Sequence, residues 1–135
     1  MKHPGIRAYD VYVAGPIRGY ENGNRPAFYA AQDLIKDTYG WRVTVPHDIP
    51  AYHHDGPCPH THLGKPLLSE HTDACYLRGD LIEMLQCDGI ALLPGWEASA
   101  GARLEFSVAS QCGMDIWHLN GALLRRSDGM AAARP

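Results

Sequence analysis

The stretch "PGWEASAGARLEF" (94–106) carries a carboxylate at Glu105, behind a run of small residues that follows an apolar segment. Ser99, Ala100 and Gly101 stand where a helix is expected to begin, and the first N–H groups of a helix lack partners within it. Such an end attracts anions, and a glycine lets one approach closely. Glu105 follows Gly101 by four residues, so it shares that helical face about one turn further on. Its side chain leans back toward the helix start. A carboxylate in that place can attack, or exchange protons with, a ligand held by the helix end. The alternative is a solvated glutamate with Ser99 as a simple cap, and the residue types alone leave both readings open.

Other residues carry weaker signals. Asp80, in "YLRGDLIEML", falls near a helix start, where the helix dipole favours negative charge in any case. Asp88, in "CDGI", is expected to fix a helix-to-strand turn. The turn "AGPIRG" (14–19) has glycines at both ends and one cation, Arg18, a combination that suits a phosphate. It is neither a Walker loop nor a dinucleotide fingerprint. His47, His53, His54, Cys58, His60 and His62 crowd one stretch, with His71 and Cys75 beyond. These are zinc-ligand types, but their spacing matches no established zinc module, and no metal site or cofactor is expected.

The elements that must position these residues alternate. "AYDVYVAG" reads as a strand and "RPAFYAAQDLIKDTYG" as a helix with Phe28, Ala31, Leu34 and Ile35 at helical spacing, Pro26 in its first turn and Gly40 at its stop. "WRVTVP" is a second strand, and residues 46–69 form a His/Pro-rich loop insertion. "HTDACYLRGDLIEMLQC" is a helix with Leu77, Leu81, Met84 and Leu85 on one face. "DGIALLP" fits a strand buried on both faces. "SAGARLEFSVASQCG" is a helix capped by Ser99 and stopped at Gly113, and "MDIWHL" is a last strand. This order gives an α/β fold, a three-layer flavodoxin/Rossmann-like parallel sheet with helices on both faces. Ligands in such folds sit beyond the carboxyl ends of the strands, the rim on which all the unusual segments fall. Residues 1–120 are expected to form one domain and 121–135 a flexible tail.

Composition narrows the function classes. A chain of 135 residues with 45% apolar and 20% charged residues and a formal charge of -3 is expected to be one globular domain without a broad nucleic-acid surface. No apolar run approaches a membrane span, and "MKHPGIRAYD" lacks the apolar core of a signal peptide, so a cytoplasmic protein is expected. Four scattered cysteines agree with a reduced compartment.

Together, "VYVAGPIRGY" and "RGDLIEMLQCDGIALLPGWEASAGARLEF" resemble the nucleoside 2-deoxyribosyltransferase superfamily. Within it the nearest match is a small, often phage-encoded group described as a domain of unknown function. The resemblance covers residues 9–47 and about 73–119. It is also close to the 2'-deoxynucleoside 5'-phosphate N-hydrolases, whose Gly-Ser-Ile-Arg-Gly turn is matched by Gly15, Ile17, Arg18 and Gly19, with Pro16 in place of serine. Their Ser-x-Gly-x-x-x-Glu spacing is reproduced by Ser99, Gly101 and Glu105, and their two-aspartate spacing by Asp80 and Asp88.

The resemblance implies a role for each position. Glu105 is the nucleophile at C1', and Asp80 positions the sugar or base and assists protonation of the leaving group. Ser99, Gly101 and Arg18, with the turn of Gly15, Ile17 and Gly19, form the 5'-phosphate pocket, and Tyr12 lines the base or sugar site. It further implies a small-molecule nucleotide substrate, no nucleic-acid polymer, and a homodimer or larger assembly. The expected activity is hydrolysis of the N-glycosidic bond of a (deoxy)nucleoside 5'-monophosphate. The alternatives are base exchange by a 2-deoxyribosyltransferase, a catalytically silent nucleotide-binding module and, last, a zinc-stabilised interaction module.

Overall fold

The computed structural model describes residues 8–50, 73–121 and 123–128. Five strands, β1 (Asp10–Ala14), β2 (Arg42–Thr44), β3 (Gly89–Leu92), β4 (Asp115–Asn120) and β5 (Leu123–Arg126), form one sheet in the order β2-β1-β3-β4-β5. The first four run parallel and β5 runs antiparallel to β4. Helices α1 (Arg25–Tyr39), α2 (Asp73–Leu85) and α3 (Ala100–Gln111) cover its two faces.

Strand alternation sorts the core into two layers. Val11 and Val13 of β1 face α1, where they meet Phe28, Ala31, Ile35 and Tyr39, residues spaced to fall on one helical stripe. Tyr12 and Ala14 face the other way, toward Met84 of α2 and Ala102 and Ala109 of α3. β3 is buried along its whole length, as its unbroken apolar run predicts. Helix α1 has Pro26 in its first turn and stops at Gly40 (φ 72), whose N–H bonds the Lys36 carbonyl. In α2 the expected apolar face is only partly used, since Met84 is fully buried but Leu85 is 48% exposed.

A strand occupies the start of the expected flexible tail. Leu124 of β5 is fully buried against the α1 layer, and its N–H donates to the Tyr39 hydroxyl at 3.1 Å. Burying one leucine side chain contributes about 1.5–3 kcal/mol, enough to hold a short edge strand against a sheet already formed.

The amino edge of the sheet is closed by aromatic packing. Tyr9 donates to Asp115 Oδ2 at 2.5 Å and accepts from Trp117 Nε1 at 2.9 Å. Trp41 packs on Tyr9, Tyr39 and Trp117 with ring centroids 4.5, 5.1 and 5.3 Å away. A Cβ on Gly89 would lie 2.8 Å from the Tyr9 hydroxyl, so glycine is required for this closure. Asp88 fixes the adjoining turn as expected, its Oδ2 accepting from the Asp10 N–H at 2.8 Å.

Candidate active site

In a sheet of this order the switch point lies between β1 and β3, and a crevice forms beyond their carboxyl ends. Two chain segments reach that rim from these neighbouring strands: the turn after β1, which carries Arg18, and the turn after β3, which leads into α3.

Helix α3 begins at Ser99, whose side chain accepts from the Ala102 N–H at 3.2 Å. Capping thus satisfies one of the free N–H groups of the first turn. A Cβ on Gly101 would meet nothing within 4 Å, so the space beside this turn is open. One turn further, Glu105 points into the protein. It is 7% exposed and is the buried charged residue among the described residues.

Glu105 has defined partners. The Tyr12 hydroxyl of β1 donates to its Oε2 at 2.5 Å. Burial pushes the Glu105 carboxyl up to about 7; the Tyr12 hydrogen bond pulls it down, and the charge of Asp80 on α2 adds to the rise. Burial also pushes Asp80 up to about 7. The Tyr12 hydroxyl is driven far above its ordinary value by burial first, then by the Glu105 and Asp80 charges, so it remains a proton donor. Two acids that feel one another and titrate in the same range behave as a pair. The Tyr12 hydrogen bond favours the ionised form of Glu105, whereas burial favours the protonated form of Asp80. A buried acid pulled toward ionisation by a donor, with a second raised acid whose charge it feels, suits nucleophilic or base work paired with acid work.

The structure therefore brings together Tyr12, Asp80 and Glu105, and sets Ser99 and Gly101 one turn before Glu105. Tyr12 contacts the acid directly, a partnership across 93 residues that no local pattern carries. The turn after β1 divides. Arg18 and Gly19 are exposed, Gly19 with φ 80, whereas Ile17 is half-buried against the α1 layer. Gly15 is buried, and a Cβ there would lie 2.9 Å from Leu93 Cβ, so close packing accounts for this glycine.

Of the His/Cys-rich set, His53, His54, Cys58, His60, His62 and His71 lie outside the described residues. His47 bonds the Gly23 carbonyl and packs on Phe28, and Cys75 is buried in α2. Among the described residues no three His, Cys, Asp or Glu side chains are grouped to hold a metal ion, and no helix is long and apolar enough to cross a membrane. An apolar groove of about 350 Å³, lined by residues such as Ala27, Leu34 and Leu119, opens by α1 and offers no carboxylate for chemistry.

No curated protein matches the chain. Its fold is similar to that of a conserved protein from Enterococcus faecalis of known crystal structure, with TM-score 0.57 and 17% identity over 82% of this chain. The chain spans 62% of that protein's length, and at this identity the likeness concerns the fold alone. A family model matches residues 9–118, which include the whole Tyr12, Asp80 and Glu105 group, and the chain belongs to that family, described as a domain of unknown function (DUF4406).

Proposed function

We propose that this protein hydrolyses the N-glycosidic bond of a (deoxy)nucleoside 5'-monophosphate, releasing free base and (deoxy)ribose 5-phosphate. The observation that carries the reading is Glu105: buried, hydrogen-bonded by Tyr12, facing Asp80, and one turn inside an open helix start. A buried acid costs stability when it ionises, and acids raised by burial cluster at sites of chemistry.

In the proposed reaction the 5'-phosphate rests at the start of α3, beside Ser99 and Gly101, with Arg18 supplying charge from the turn after β1. Holding the phosphate there orients the sugar toward Glu105. The Glu105 carboxylate attacks C1' as the bond to the base nitrogen breaks. The electron pair leaves with the base, which takes the proton of Asp80. The sugar is then an ester of Glu105. Asp80, now a carboxylate, takes a proton from water, whose oxygen attacks C1', and the ester opens to regenerate the Glu105 carboxylate. A free base in place of water would give base exchange, the second outcome open to the same intermediate.

Chromatography of the protein incubated with each nucleoside 5'-monophosphate, with and without an added free base, tests the reading. The expected result is release of one base and of sugar 5-phosphate without an acceptor. Turnover only with an acceptor would make the protein a transferase. Binding with no turnover would make it a silent nucleotide-binding module. The proposed assembly is a homodimer or larger, which light scattering would decide.

A further inference from the structure

The turn after β1 has an unusual backbone. Among the described residues two non-glycine positions have positive φ, Asn22 (53°) and Asn24 (61°), and they flank Gly23, itself at 61°. Left-handed conformation at three residues in a row is unfavourable without support from outside, even where Asn and Gly lower the cost. Within the turn, the Tyr20 N–H bonds the Ile17 carbonyl at 3.3 Å, the Gly23 N–H bonds the Tyr20 carbonyl at 3.0 Å, and Asn24 Nδ2 closes back on the Pro16 carbonyl at 2.9 Å. Arg18 and Gly19 sit on the loop so formed.

Support from another element comes through His47. This residue lies in the 3-10 turn Pro46–Asp48 that follows β2, and its Nε2 is 2.7 Å from the Gly23 carbonyl oxygen. A carbonyl only accepts, so Nε2 carries a proton and donates. The ring stands edge-on to Phe28, with centroids 4.6 Å apart, and its Nδ1 is buried with no hydrogen-bond partner among the described residues. The turn that carries the ring is tied to α1, where the neighbouring Asp48 accepts from the Tyr29 hydroxyl at 2.6 Å. An imidazole with one nitrogen spent on a strained carbonyl and the other closed off from ligands is arranged to hold the loop.

We propose that His47 is a positioning residue: through its Nε2 bond to the Gly23 carbonyl it holds the Arg18-bearing loop in the shape that receives the substrate phosphate. The part concerning phosphate rests on the function proposed above; the latch itself does not.

Amide hydrogen exchange on the full chain tests the latch without reference to catalysis. His47→Leu is expected to speed exchange at the Tyr20 and Gly23 amides about tenfold, the effect of one good hydrogen bond, while amides in β1 and α3 keep their rates. His47→Gln, which can still donate, should restore slow exchange and guards against a general loss of folding. Titration with thymidine 5'-monophosphate, followed by chemical shifts, should show about tenfold weaker binding for His47→Leu and recovery for His47→Gln, with binding of thymidine itself unchanged. Unchanged exchange at Tyr20 and Gly23 would overturn the latch. Faster exchange with undiminished nucleotide binding would overturn the role in positioning. Native protein that binds the nucleotide and releases no base would sink the hydrolase reading and leave this one standing.

Discussion

Two tyrosine–carboxylate hydrogen bonds of equal length, 2.5 Å, serve different ends in this molecule. At the amino edge, Tyr9 donates to Asp115, accepts from Trp117 and is enclosed by Trp41, and a glycine at position 89 makes room. The Tyr9 hydroxyl both donates and accepts there, and the cluster ties the starts of three strands together. In the other layer, Tyr12 donates to Glu105, but a second acid faces the pair and the helix start one turn away is open. Burial raises Glu105 and Asp80 to about 7, so this group is poised to exchange a proton near neutrality. The bond is the same; the second carboxyl and the open space beside it make the difference.

Substitutions in matched pairs can break that contrast. The largest effect is expected from Glu105→Gln, which removes the proposed nucleophile and should lower base release on the order of 10⁴-fold, whereas Asp115→Asn should leave release close to that of the native protein. Initial rates from chromatography compare the two.

Next come the tyrosines. Tyr12→Phe is expected to cost about 100-fold in kcat/KM, as loss of one preorganised donor does. It should also move the limb of the pH–rate profile that reports Glu105 ionisation to higher pH, because the lost bond had been pulling that group down. Tyr9→Phe should instead cost about 2–3 kcal/mol of stability in urea unfolding, since it leaves Asp115 and the Trp117 N–H without this partner.

Stability against pH separates the proposed nucleophile from its amide. The folded state raises Glu105 from 4.5 to about 7, so the folded protein binds its proton more tightly than the unfolded chain does. That contribution is complete below pH 4.5 and is lost as pH rises through about 7, up to ~3 kcal/mol. Glu105→Gln does not ionise, so its stability relative to the native protein should grow between pH 5 and pH 8 as followed by thermal unfolding. Equal pH dependence in both proteins would contradict the assignment.

The smallest effects distinguish two glycines. Gly89→Ala presses a methyl group against Tyr9 and should destabilise by about 1–3 kcal/mol. Gly101→Ala places it in open space at a helix start and should stabilise by up to ~1 kcal/mol while weakening nucleotide binding in calorimetric titration.

Legibility in the sequence followed the range of the interaction. Ser99 caps its helix and Gly101 and Glu105 stand four residues apart, so the cap and the face those two share followed from spacing, and alternation of strands and helices carried the sheet. What depended on distant contacts did not appear. Tyr12 lies in a run whose residue types show a strand, not that its hydroxyl meets an acid 93 residues on. Residues 123–126 form too short a run for alternation to register, and antiparallel pairing with β4, with Leu124 buried and bonded to Tyr39, makes them a strand. Gly15 looked like part of a phosphate turn because glycine signals either backbone freedom or close packing, and Leu93 gives the second reason. His47 sat among histidines in the sequence, while in space it belongs to the turn after β1.

The proposed double displacement has a stereochemical signature, and the most direct test is to read it. With methanol as competing acceptor, the methyl glycoside formed from a β-nucleotide can be identified by NMR before it is lost. An ester on Glu105 inverts C1' once and methanol inverts it again, so the account predicts the β-anomer. The α-anomer would mean direct attack by solvent, with Glu105 acting as a base, and would contradict its role as nucleophile.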